Sequence, residues 1–232
     1  MLNKNLTLIS ILILLIILTS ELWCTTLAVL DFENNSLFDA DQYNNLSKGL
    51  SEMMITELSK VQSIKLVERR DLKSILDEIK LAQSGVIDES QTAQVGKLAG
   101  ARHLVFGGFM VTMNNQIRID CRIVEVETGL TKQAAEITGK TKKLFPLIQQ
   151  LSQKILDNLE IKLSKEEKKA LKKSSDIGMD AILLFSEGLD FEDSNDFKNA
   201  KICYTKALKL DPKFERAKQK LLYLHKLENK LQ

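Results

Sequence analysis

The chain has 232 residues, of which 44% are hydrophobic and 28% charged, which is room for one to two compact domains and enough apolar character to exclude a disordered polypeptide. Its 33 basic and 31 acidic residues leave a formal net charge of +2, so no global field holds the chain on a polyanion, and no nucleic acid is expected as a partner.

The first element, Leu6 to Leu18 ("LTLISILILLIIL"), is an apolar run behind Lys4. A membrane-spanning helix needs about 20 apolar residues, and Thr19, Ser20 and Glu21 end this run sooner. It reads as a secretory h-region, with residues 1–24 a signal peptide and the mature chain working outside the cytoplasm. Cys24 in "ELWC" is the candidate lipidation site, and acylation there would make membrane association direct. Glu21 and Trp23 stand where such signals carry Leu and a small residue, which favours plain cleavage. The other cysteines, Cys121 and Cys203, lie far apart and read as buried thiols rather than a disulfide framework.

"TTLAVLDFEN", Thr25 to Asn34, predicts a buried strand closing in a loop. From Asp41, offered as N-cap, Leu46, Leu50, Met53, Met54, Leu58 and Val61 fall at helical spacing. A second strand, Ile64 to Glu68, leads into a helix from Asp71 with Leu72, Ile75, Leu76 and Ile79 as its apolar stripe. The charges of that stretch, Arg69, Arg70, Lys73, Asp77 and Glu78, are mixed in sign and read as a solvated face. After "QSGVIDES" a third helix runs from Ser90, with Val95, Leu98 and Ala99 on one side and Gly100 as C-cap.

The period then becomes two. "HLVFGGFMVTM" and "QIRIDCRIVEVE" flank Asn114 and Asn115, read as a two-residue hairpin turn, and "TKQAAEITG" follows a turn at Thr128 and Gly129. Ile117, Ile119, Cys121 and Ile123 alternate with Arg118, Asp120 and Arg122, giving one dry and one wet face. Gly107 and Gly108, inside a strand, mark a bulge or a close backbone approach. A helix from Leu144 to Leu159 closes the unit. Residues 161–180 read as a basic helical linker in which Ser164 and Glu167 are spaced as a capping box. Its lysines can touch an anionic leaflet or cell-wall polymer, although a solvated helix is the blander reading.

No Gly-x-Ser-x-Gly, His-Glu-x-x-His or Gly-x-x-x-x-Gly-Lys is present, and His103 and His225 stand apart from each other and from the cysteines. No catalytic residue, metal site or cofactor is therefore expected, and the chain is not read as an enzyme.

In order, "LAVLDFENNS", "LSKGLSEMMITELSK", "LVERRDLKSILDE", "GKLAGARHLVFGG" and "RIVEVETG" resemble the CsgG family of curli-export proteins and its envelope relatives, over Thr26 to about Leu159. The resemblance implies an α/β domain over 25–160, an α+β mixed sheet with flanking helices, and links to secretion or outer-membrane assembly. The family's pore adds long hairpins to a shared barrel, and no such stretch is present here, so an adaptor rather than a pore is implied.

A second stretch, Ala181 to Phe214, resembles a tetratricopeptide repeat. Leu184, Gly188 and Phe191 fall on the marked positions of its first helix, Ala200, Tyr204 and Ala207 on those of its second, and Pro212 on the closing proline. Glu187 replaces an expected Leu. Residues 181–232 would then be an all-α hairpin with a capping helix, Phe214 to Lys230, and something must cover its apolar face. The expectation is an exported, non-enzymatic protein of the periplasm or the periplasmic face of the outer membrane. Its partners would be other envelope proteins and further copies of itself. The alternative is a regulatory protein or lipoprotein that activates a cell-wall synthase.

Overall fold

The computed structural model describes residues 24–82, 89–172 and 177–231. The proposed signal segment and most of "QSGVIDES" lie outside these residues. Five strands form the path β3-β1-β4-β5-β6: β1 Thr25–Val29, β3 Ile64–Leu66, β4 His103–Val111, β5 Gln116–Glu125 and β6 Thr131–Lys140; the short β2, Glu33–Asn34, pairs with β4 off this path. Pairing is parallel for β3-β1-β4 and antiparallel for β4-β5-β6, so the sheet is mixed.

The helices, in chain order, are α1 Ala40–Tyr43, α2 Leu46–Leu58, α3 Arg69–Ala82, α4 Glu89–Leu98, α5 Leu144–Asn158, α6 Lys165–Lys172, α7 Met179–Asp193, α8 Phe197–Leu210 and α9 Glu215–Leu231. The step from β1 to β3 and the step back across β1 to β4 run in opposite directions. Right-handed crossovers therefore place α2 on one face of the sheet and α3 with α4 on the other.

Side-chain parity follows from this layering. Leu27, Val29, Val105 and Ile117, Ile119, Cys121 and Ile123 of β5 join the larger core with α2 and α5, whereas Ala28, Leu104 and Val126 join Leu72 and Val95 under α3 and α4. The second half of β1, Leu27 to Val29, is apolar and buried because it is covered on both faces, and β5 alternates because Arg118 and Asp120 lie on its exposed face. The two strand glycines sit where backbone approaches closely. A Cβ on Gly107 would lie 1.9 Å from the carbonyl oxygen of Asp120, and one on Gly108 2.4 Å from Asn35 Nδ2.

Several local expectations change. Asp41 does not cap α2: it sits in the one-turn α1 and accepts from Asn44 Nδ2 at 3.3 Å, and α2 starts after Asn45. The β4-β5 turn has three loop residues, Met113 to Asn115. Asn115 N donates to Thr112 O, Thr112 N to Gln116 O, and Asn115 alone takes a positive φ, 53°. Leu98, read as an inner residue of α4, is 59% exposed, whereas Val95 and Gly96 face the body of the molecule. Gly100 does close α4, at φ 63°, with Ala101 N bonded to Gly96 O and Gly100 N to Lys97 O.

α7 packs along the outer side of α2. Gly49 permits the approach, since a Cβ there would lie 1.9 Å from Ser186 Oγ. Phe185, Leu189, Tyr204, Phe214 and Leu224 belong to the same continuous core as Val29 and Ile148. The first domain thus covers the helical segment on one side, and α9 covers α8 on the other.

Candidate functional site

Titratable side chains converge where α2, the start of α3 and the C-terminal helices meet. α2 turns its apolar side to the sheet, which leaves Lys48 facing α7 and Glu52, one turn on, facing Arg69 of α3 and Arg216 of α9. The chain leaves β3 through Glu68 and places Arg69 at the first position of α3. α7 ends in Asp190, Glu192 and Asp193, and α9 begins with Arg216 and Lys220 at helical spacing.

Arg69 is buried and makes a two-pronged hydrogen bond with Asp193, Nη1 to Oδ2 at 3.0 Å and Nη2 to Oδ1 at 2.6 Å. Its Nε lies 3.6 Å from Glu52 Oε2, and its Nη1 lies 3.7 Å from Asp31 Oδ2. Glu52, only 1% exposed, accepts from Arg216 Nε at 2.8 Å and from Arg216 Nη2, with Lys220 Nζ 3.7 Å away. Lys220 also reaches Glu192 at 2.9 Å, and Glu192 accepts from the Tyr204 hydroxyl at 2.6 Å. Lys48 bridges Asp190 and Asp193, the latter at 2.9 Å. Above this floor opens a cleft of about 720 Å³. At its rim the Arg70 guanidinium donates to the Tyr223 hydroxyl at 2.6 Å and lies 5.8 Å from that ring's centre.

Burial alone would raise the Glu52 carboxyl, but Lys220, Arg216 and Arg69 around it outweigh burial and hold it below the usual range. Asp193 is likewise pushed up by burial and pulled further down by Arg69 and Lys48. Arg69, which burial would lower, is held high by Asp193, Asp31 and Glu52. Tyr204 is raised by burial first and by Glu192 second. Each group thus moves away from neutrality, the opposite of what a general acid or base near pH 7 requires. The arrangement clamps two parts of the chain together. Among the described residues no group of His, Cys, Asp and Glu is placed to hold a metal ion.

The reading of Arg69 as part of a solvated face is overturned: its partner Asp193 lies 124 residues away and draws it inside. Lys73 and Asp77 do lie outside, paired with each other at 2.8 Å. Of the repeat-signature positions, Ala200, Tyr204 and Ala207 are fully buried and Leu184 and Phe191 half-buried against the core. A Cβ on Gly188 would lie 2.5 Å from the Tyr204 ring, and Pro212 sits in the turn closed by Phe214 N on Asp211 O. Cys24 is exposed just before β1, whereas Cys121 and Cys203 are buried. Burial raises these two thiols, to about 12 and about 11.

Sequence reasoning missed the cluster itself. A signal was present in the acids that end α7 with no base one turn away on that helix, and in Lys48 and Glu52 on a largely apolar helix.

Residues 22–112 match the family model described as "Curli production assembly/transport component CsgG". No curated protein matches the chain by sequence. Among solved structures, the LpoB C-terminal domain from Salmonella enterica aligns at 13% identity over 53% of this chain and 87% of its own, with a TM-score of 0.37. The PelC dodecamer from Paraburkholderia phytofirmans aligns at 12% over 57% and 86%, TM-score 0.35. A lipoprotein from Neisseria meningitidis aligns at 11% over 60% and 99%, TM-score 0.36. All three superpose loosely and bear on neither partner nor activity. No helix among the described residues is long and apolar enough to cross a membrane.

Proposed function

We propose that the chain is an exported, non-enzymatic protein of the cell envelope, a component of assembly or secretion that works by binding other proteins. The observation that carries this is the CsgG-model match over 22–112, on a mixed sheet with helices on both faces. The apolar run before Cys24 supports export. The mutual pairing of acids and bases in the cluster supports a structural rather than a catalytic use of its charges. The packing of α7 on α8 through Gly188 and Tyr204, with α9 beside them, supports reading this segment as a repeat-like hairpin with a cap, whose outward faces would be the surface offered to a partner.

The alternative, a regulatory lipoprotein acting on a cell-wall synthase, gains from the exposure of Cys24. Cell fractionation with cross-linking and intact-mass measurement tests both. Recovery in the envelope, cross-linked to an envelope protein, is expected, and acyl chains on Cys24 together with stimulation of a glycan polymerase would favour the alternative. Recovery in the cytoplasm, or a turnover activity that survives loss of every binding partner, would overturn the proposal.

A further inference from the structure

Outside the cluster, the strongest unassigned feature is α6. Its lysines, Lys165, Lys168, Lys169 and Lys172, fall at i, i+3, i+4 and i+7 and are all exposed, so they form one cationic stripe. The opposite side of the helix holds it to the body. Leu171 is buried, and Glu167 closes the capping box, accepting from Ser164 N at 2.8 Å while Ser164 Oγ accepts from Glu167 N at 3.2 Å. Glu167 also accepts from Gln62 N at 2.8 Å. These backbone donors, Ser164 first and Gln62 second, hold its carboxyl below the usual range and turn it away from the stripe. Glu166 is then the helix's remaining acid beside four lysines.

The stripe sits where the chain's N-terminal segment enters. Thr25, next to Cys24, donates to Ser63 O at 3.0 Å, and Ser63 adjoins Gln62, the residue tied to α6. At the same end of the sheet, Arg102 N donates to Thr26 O, and the apolar Leu98 and Leu130 nearby are 59% and 67% exposed. A lysine stripe and exposed leucines at the end where Cys24 leads into β1 fit a lipid surface better than a polymer in solution.

We infer that the α6 lysine stripe docks this end of the molecule on an anionic phospholipid surface. The inference rests on the reading of the chain as an envelope protein and deepens it by naming the surface. Long lysine side chains meet headgroup phosphates as point charges, so the contact is set by charge and screened by salt rather than by a shaped pocket.

The test compares binding to phosphatidylethanolamine vesicles with and without phosphatidylglycerol, using the Cys24→Ser chain so that acylation contributes nothing. Binding is expected to rise with phosphatidylglycerol and to fall with salt. Combining Lys165→Gln, Lys168→Gln, Lys169→Gln and Lys172→Gln should cut the phosphatidylglycerol-dependent part by about fivefold per lysine, with arginine at the same four positions retaining it. An unchanged melting transition excludes misfolding. Equal binding by the glutamine variant, binding indifferent to phosphatidylglycerol, or retention on anionic glycan strands but not on vesicles would each overturn the inference. If the protein fractionates with the envelope yet ignores anionic vesicles, the docking fails and the envelope reading stands; cytoplasmic recovery sinks the envelope reading instead.

Discussion

Glu52 holds three cations in register, Arg69, Arg216 and Lys220, each from a different element than its own. Glu52→Gln keeps the shape and removes the charge, so Arg216 loses its carboxylate while Arg69 keeps Asp193 and Lys220 keeps Glu192, and a loss of about 3–5 kcal/mol is expected in urea unfolding. A loss below about 1 kcal/mol would show that water reaches the cluster. The pH dependence follows from the same pairing. Glu52 and Asp193 titrate lower in the folded chain than their ordinary values of 4.5 and 3.8, so the unfolded chain takes up protons first. Their contribution is complete above those values and is lost as pH falls through the folded-state titration. Unfolding measured from pH 7 down to pH 3 should show a steep acid limb, and a flatter one in Glu52→Gln. Little of this was legible: the charges of "LVERRDLKSILDE" look alike in sequence, and what separates buried Arg69 from exposed Lys73 is an aspartate 124 residues away.

Elements read well where their signal is local. The dry and wet faces of β5, the Gly100 cap and the Ser164–Glu167 box are each set by residues within a few positions, and the structure holds all of them. The start of α2 and the β4-β5 turn were misplaced because Asn and Asp serve several turn geometries with nearly equal ease. Ser164→Ala removes one half of the box and should cost about 1 kcal/mol in the same unfolding measurement. Gly188→Ala puts a methyl group 2.5 Å from the Tyr204 ring, so α7 and α8 must separate. A loss of about 1–3 kcal/mol is expected, with altered near-ultraviolet dichroism from Tyr204. A silent Gly188→Ala would mean that this helix pair is loosely packed.

At the scale of the molecule, the C-terminal helices are a wall of the α/β body rather than an appended module. They share its core, and the ion pairs of Arg69, Lys48 and Glu52 cross from one to the other. A chain ending at residue 176 should accordingly expose the outer side of α2, bind a hydrophobic dye and aggregate, whereas the full chain stays dispersed. Sequence requires that something cover the α7–α8 hairpin but does not say what, since the choice depends on Gly49 meeting Ser186 and on charges scattered along the whole chain. Native-state hydrogen exchange tests this integration most directly. Amides of α7 and α8 are expected to lose protection together with those of α2 and β1, in one cooperative opening. Exchange of α7 to α9 through their own, lower-energy opening while α2 and β1 remain protected would contradict it.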